Sequence, residues 1–155
     1  MTPPWTDVDY ERLKDAIELS RRCPRADGAY AVGALIFDQA GNEITTGYSR
    51  ESDLHVHAEE AALLKVVGES SLKEATLYST LEPCSQRKSR PRSCTELILQ
   101  SGIPRVVIAW REPQLFVADC QGVEMLTAAG VTVVEIPELA TAARRVNEHL
   151  PGIGL

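Results

Sequence analysis

The stretch RVVIAW, residues 105–110, decides how this chain folds. Apolar past its first residue, it reads as a strand that sits inside a sheet. A helical segment closed by glycine lies on each side of it: SCTELILQSG (93–102) before and CQGVEMLTAAG (120–130) after. Beyond those helices come two more strands, ATLYSTL (75–81) and VTVVEI (131–136). Strands joined through helices pair in parallel with right-handed crossovers. Further upstream, AVGALIFD (31–38) and EITTGYS (43–49) flank a turn cluster containing Gly41, which predicts a hairpin. The segment HAEEAALLKVVG (57–68) is helical in composition and is expected to end at Gly68. DVDYERLKDAIELSRR (7–22) predicts a first helix, with Tyr10, Leu13 and Ile17 on one face and Thr6 or Asp7 as cap. PELATAARRVNEHL (137–150) predicts a terminal one. The fold class is therefore α/β: a three-layer α/β/α sandwich around a mixed five-stranded sheet, with an antiparallel first hairpin and the remaining strands parallel. The link REPQLFVAD (111–119) is longer than such connections need and is a candidate pocket rim, with Phe116 and Val117 as candidate cover.

With 155 residues, the chain is expected to form a single domain, 1–155. Hydrophobic residues make up 44% and charged residues 25%, which fits a globular protein with a sizeable core. No apolar run is long enough to span a bilayer, so no membrane partner is expected. The N-terminus lacks the basic and apolar regions of a secretory signal, so a reducing, cytoplasmic setting is the expectation. In that setting Cys23, Cys84, Cys94 and Cys120 read as thiols or metal ligands rather than disulfides. A net charge of −6 argues against a broad nucleic-acid-binding face.

Chemistry concentrates in two places: His57-Ala58-Glu59 at the start of a helix, and Pro83-Cys84 after a strand, with Cys94 opening the next helix. Ligand sites of open α/β sheets lie at the carboxyl ends of the strands, where these residues can converge. One imidazole and two thiolates suit zinc, and three protein ligands leave a fourth position for water, the mark of a catalytic site. Positive helix starts and the metal charge compensate the buried thiolates. Glu59, two residues past His57, is placed to move a proton between metal-activated water and a leaving amine. That set fits hydrolytic removal of an exocyclic amine from an aromatic ring. A closed structural zinc site would need a fourth ligand, for which His55 and Cys120 are the candidates.

His-x-Glu followed by Pro-Cys-x-x-Cys is the signature of zinc nucleobase deaminases. The chain resembles the cytidine-deaminase-like superfamily, and within it the deaminase domain of the bifunctional riboflavin-biosynthesis deaminase/reductase. The resemblance rests on Val32-Gly33, Gly47-Tyr48, His57-Ala58-Glu59, Thr80-Leu81-Glu82-Pro83-Cys84-Ser85, Ser101-Gly102-Ile103 and Ala128-Ala129-Gly130-Val131. It implies that His57, Cys84 and Cys94 bind Zn2+, that Glu59 is the proton shuttle, and that backbone groups near Ala58 and Leu81 contact the ring. It further implies pairing into a homodimer through helices. This sequence departs from the riboflavin branch at Gly28-Ala29-Tyr30, where that branch has Pro-Asn-Pro, and at Ser49, where it often has His. Its loop between the cysteines is one residue longer, and no reductase half is expected within its 155 residues.

That loop, SQRKSRPRS (85–93), is strongly basic in an acidic chain. Arg87, Lys88, Arg90 and Arg92 are expected to face a phosphorylated or otherwise anionic substrate, since guanidinium groups match phosphate oxygens. His55 at the entrance, Tyr30, Ser49 and Trp110 at the strand edge complete the candidate substrate contacts. The expected partner is a small heterocyclic amine: first a riboflavin-pathway-like diaminopyrimidine phosphate, then a nucleobase, nucleoside, nucleotide or triazine. The rival from another class is a non-catalytic partner subunit that keeps zinc for stability.

Overall fold

The computed structural model describes residues 2–66, 70–113 and 120–153. The helix expected to end at Gly68 stops at Leu64 instead, while the expected cover by Phe116 and Val117 lies outside the described residues. The elements are α1 (Asp7–Ser20), β1 (Gly33–Phe37), β2 (Glu43–Tyr48), α2 (Ala58–Leu64), β3 (Thr76–Ser79), α3 (Cys94–Ser101), β4 (Arg105–Ile108), α4 (Gly122–Ala128), β5 (Thr132–Glu135) and α5 (Ala140–Arg145). Two 3-10 turns, Ser70–Glu74 and Pro137–Leu139, precede β3 and α5. The second replaces the first turn of the expected terminal helix, where Pro137 has no N–H to give.

The strands lie in the order β2-β1-β3-β4-β5. β1 pairs antiparallel with both β2 and β3, while β3–β4 and β4–β5 are parallel. This is the mixed sheet expected, an antiparallel hairpin on a parallel half. The apolar run through β4 suits its interior place in the sheet: Val106, Val107, Ile108 and the following Ala109 are fully buried.

Two glycines fix the layers. Gly33 and Ala34 are consecutive on β1 and so face opposite sides of the sheet. A Cβ on Gly33 would stand 2.0 Å from the Ala16 carbonyl of α1. Gly47, which pairs with Ala34, would place one 2.3 Å from the Ala58 carbonyl of α2. Helices α1 and α2 therefore press on opposite faces, each against a strand position that tolerates no side chain. Helix α3 packs beside α2, and α4 beside α3.

Helix α1 begins with a capping box between Thr6 and Asp9. Asp9 also receives Arg105 Nη1 and Nη2 at 2.9 and 2.7 Å and the Tyr78 hydroxyl at 2.7 Å, which fastens the helix to β3 and β4. At the other end of the chain, Asn147 accepts from the Ala31 N–H at 2.7 Å and donates to the Ala31 carbonyl at 3.1 Å. That pair holds the segment leading into β1 where the site needs it.

Candidate metal centre and pocket

Because β1 runs against β3, the start of β1, the end of β2 and the carboxyl ends of β3 and β4 share one edge of the sheet. His57 is the N-cap of α2, and Cys94 is the first residue of α3 behind its own capping box, Ser93 with Glu96. Cys84 follows β3 after the turn Thr80–Pro83. Its carbonyl accepts from the Thr95 N–H at 3.1 Å, and its sulfur accepts from the Cys94 N–H at 3.2 Å.

These contacts bring three donors together from two helix starts and a strand exit. His57 Nδ1 lies 3.6 Å from Cys84 Sγ and 3.4 Å from Cys94 Sγ. Bonds of about 2.3 Å to sulfur and about 2.0–2.1 Å to nitrogen, at a tetrahedral angle, put N and S about 3.5 Å apart. Both nitrogen–sulfur edges thus match a zinc tetrahedron, all three donors lie within 4.8 Å of one another, and mixed nitrogen–sulfur donors are those zinc prefers. Among the described residues the group has three members; neither His55 nor Cys120 joins it. His55 is exposed, and the Cys120 thiol donates to the Pro83 carbonyl at 3.5 Å.

The electrostatics call for a cation. A hydrogen bond from Cys94 pulls the Cys84 thiol down against its burial, and His57 pulls the same way. Cys94, hydrogen-bonded to Cys84 and buried, is pushed up. Burial presses the His57 imidazole down, but the Cys84 sulfur and the Glu59 carboxylate outweigh it, and the net direction is up. Glu59 is 4% exposed, and burial drives its carboxyl above the usual range. Ser79 Oγ stands 3.1 Å from Glu59 Oε1 and 2.9 Å from the Leu81 carbonyl.

A pocket of about 560 Å³ opens over this centre, within the size range of small-molecule sites. Its walls include His57, Ala58, Glu59, Leu81 and Cys84, together with Tyr30, Ser49, Arg87 and Lys88. Among the described residues, His55, Arg90, Arg92 and Trp110 stand outside that wall. Trp110 is buried edge-on to Tyr30, with ring centroids 6.0 Å apart, and so backs the pocket wall. Ser49 Oγ accepts from the Val32 N–H at 3.0 Å and closes the β1–β2 edge.

Two arginines of the basic loop are paired with acidic neighbours. Arg87 Nη1 donates to Glu60 at 3.1 Å and Nη2 to the His55 carbonyl at 2.6 Å. Arg90 pairs with Asp53 and Glu60, and Arg92 donates to Gln100 at 2.8 Å. Arg87 Nε is the one buried side-chain nitrogen or oxygen without a partner among the described residues. So two of the four basic residues, Arg87 and Lys88, reach the pocket.

Several site residues carried no flag in the sequence. Glu82 accepts from the Glu112 N–H at 3.0 Å and the Val123 N–H at 2.9 Å, tying the long loop after β4 to the strand that carries Cys84. Glu112 lines the pocket, and burial pushes its carboxyl up to about 7. Arg50, with φ at 61°, donates to the Pro24 and Tyr30 carbonyls and braces the approach to β1. Glu60 occupies the third helical position after the N-cap, where a capping-box acid is the available signal. For Ser79 the signal is weaker: a hydroxyl at the inward end of an otherwise apolar strand.

Comparison with known proteins bears directly on this centre. The family model for the cytidine and deoxycytidylate deaminase zinc-binding region matches residues 7–110. The diaminohydroxyphosphoribosylamino-pyrimidine deaminase of Schizosaccharomyces pombe is 42% identical over 135 residues, covering 85% of this chain and 32% of that protein. RibD of Acinetobacter baumannii superposes with a TM-score of 0.77 at 30% identity, covering 90% of this chain and 38% of that one. The Rib2 deaminase of Aspergillus oryzae shares the fold, with a TM-score of 0.78 at 21% identity over 94% of this chain and 93% of that one. The chain spans about a third of the length of the curated relatives it matches.

Proposed function

The chain belongs to the cytidine and deoxycytidylate deaminase zinc-binding family, and on that premise we propose that its 155 residues form a hydrolytic deaminase domain. Its substrate is a small aminopyrimidine or related heterocycle, first among them a diaminopyrimidine carrying a ribose phosphate. The observation that carries the reading is the His57, Cys84 and Cys94 triangle with a buried carboxylate at its side. Zinc held by those three residues supplies Lewis-acid activation of water near neutral pH.

The protein's own residues do the rest. Glu59 accepts the proton of the attacking water and returns it to the departing nitrogen. A carbon–oxygen bond forms, the carbon–nitrogen bond breaks, and the products are a keto heterocycle and ammonia. Burial favours the protonated form of Glu59, which suits the second transfer. Ser79 has a single proton to donate. With Glu59 ionised, that proton goes to Oε1; with Glu59 protonated, the serine oxygen accepts, and its own proton turns to the Leu81 carbonyl. The backbone at Ala58 and Leu81 frames the ring, with Tyr30 and Ser49 in the wall around it. Lys88 offers a donor to an anionic arm, and the pocket volume accommodates one.

The reading extends to a cytoplasmic homodimer. None of its four cysteines is in a disulfide, in keeping with a reducing compartment, and Leu64 of α2 is a large apolar side chain left 72% exposed. No described helix is long and apolar enough to cross a membrane. The test is ammonia release from a panel of diaminopyrimidine ribose phosphates, cytosine nucleosides, cytosine nucleotides and aminotriazines. Release from the phosphorylated diaminopyrimidine above the others is the expected result. A protein that binds zinc and releases ammonia from none of them favours the zinc-stabilised partner subunit.

A further inference from the structure

Glu60 stands next to the proposed proton shuttle and takes no part in its chemistry, yet its carboxylate gathers more partners than any other beside the zinc ligands. Oε1 accepts from the His57 backbone N–H at 3.3 Å and from Arg87 Nη1 at 3.1 Å, while Oε2 lies 3.5 Å from Arg90 Nε. Arg87 and Arg90 both belong to the loop between Cys84 and Cys94. Arg87 also donates to the His55 carbonyl, and Arg90 pairs with Asp53, whose other oxygen accepts from the His55 N–H at 2.7 Å. One carboxylate therefore joins the loop between the two sulfur donors to the segment that carries the imidazole donor.

We propose that Glu60 is a positioning residue that acts through Arg87 to hold the loop between the cysteines against the start of α2, and so presets the zinc triangle. The proposal rests on the reading of His57, Cys84 and Cys94 as zinc ligands. Its physical basis is burial and charge. The Arg87 and Glu60 side chains are 4% and 12% exposed, so solvent and salt screen their attraction little. Groups that orient metal ligands from outside typically govern about 10–100-fold in metal affinity.

The test is the zinc dissociation constant, measured by chelator competition well below the unfolding temperature. Wild type, Glu60→Gln, Arg87→Gln and the double variant are compared. Glu60→Gln keeps an oxygen for the His57 N–H and loses the charge; Arg87→Gln breaks the same link from the loop side, so either variant alone carries the test. Each single variant is expected to bind zinc about 10–100-fold more weakly than wild type, and the double variant no more weakly than the weaker single one. Wild-type affinity in a folded single variant overturns the proposal. Losses that multiply in the double variant overturn the route through Arg87. A wild type that binds no zinc overturns the ligand reading itself, which separates the two failures.

Discussion

Asp9→Asn removes the charge from the clamp that holds α1 on the sheet. The Asp9 carboxylate takes four donors: both terminal nitrogens of Arg105, the Tyr78 hydroxyl and the Thr6 N–H. Burial alone would raise its pKa, but these donors, Arg105 first among them, hold it well below the usual carboxylate range. Breaking a buried ion pair from one side costs about 3–5 kcal/mol. The Arg105 side chain is 28% exposed and recovers part of that loss through water, so the variant is expected to lose about 2–3 kcal/mol. In a chain of this size that lowers Tm by about 4–12 °C. The sign of the pH dependence follows from the lowered pKa. The folded carboxylate binds protons less readily than the unfolded one, whose pKa is about 3.9. The stabilisation is therefore complete above the unfolded value and drains as pH falls through it towards the folded one, at up to about 1.4 kcal/mol per pH unit. Urea unfolding of wild type and variant in the same metal state reads the gap directly. The gap is expected to be full at about pH 7 and about pH 5 and smaller at about pH 3. A gap below about 0.5 kcal/mol at neutral pH, or one that does not narrow in acid, refutes the reasoning.

Two further predictions concern the pocket. Ser79→Ala removes the hydroxyl beside Glu59 and with it a donor to the ionised carboxyl, which pushes that carboxyl further up than burial does. The acidic limb of the kcat/KM profile should then move to higher pH by about one unit; a limb that stays or moves down contradicts the assignment. Lys88→Ala should raise KM for a phosphorylated substrate about tenfold with little change in kcat, whereas Arg92→Ala, whose partner is Gln100 outside the pocket, should leave KM alone. Equal effects of the two substitutions would place the anionic arm elsewhere.

What the sequence disclosed, and what it withheld, follows the range of the interactions. The β4 run and its flanking glycine-terminated helices announce themselves through local periodicity, which is why the parallel half of the sheet was readable. His57, Glu59, Cys84 and Cys94 stood out because the chemistry that needs them constrains their immediate neighbours. The partners of the basic loop were hidden for the opposite reason: Arg87 and Arg90 pair with Asp53 and Glu60, Arg92 donates to the Gln100 amide, and pairing between distant residues leaves no local pattern. The Asp9–Arg105 clamp bridges 96 residues and was equally hidden. Helix ends were less legible than helix positions: α2 ends at Leu64, short of the composition-based limit, and the terminal helix starts with a 3-10 turn at Pro137.

The account turns on a zinc centre served by Glu59, and one paired measurement tests it most directly: zinc content and ammonia release, read together on wild type and Glu59→Ala. The expected wild type carries one zinc per chain and releases ammonia from a phosphorylated diaminopyrimidine. The variant keeps its zinc and loses release by about 10²–10⁴-fold, the range of general acid–base catalysis. A variant that deaminates as fast as wild type, or a wild type that turns over without zinc, contradicts the account.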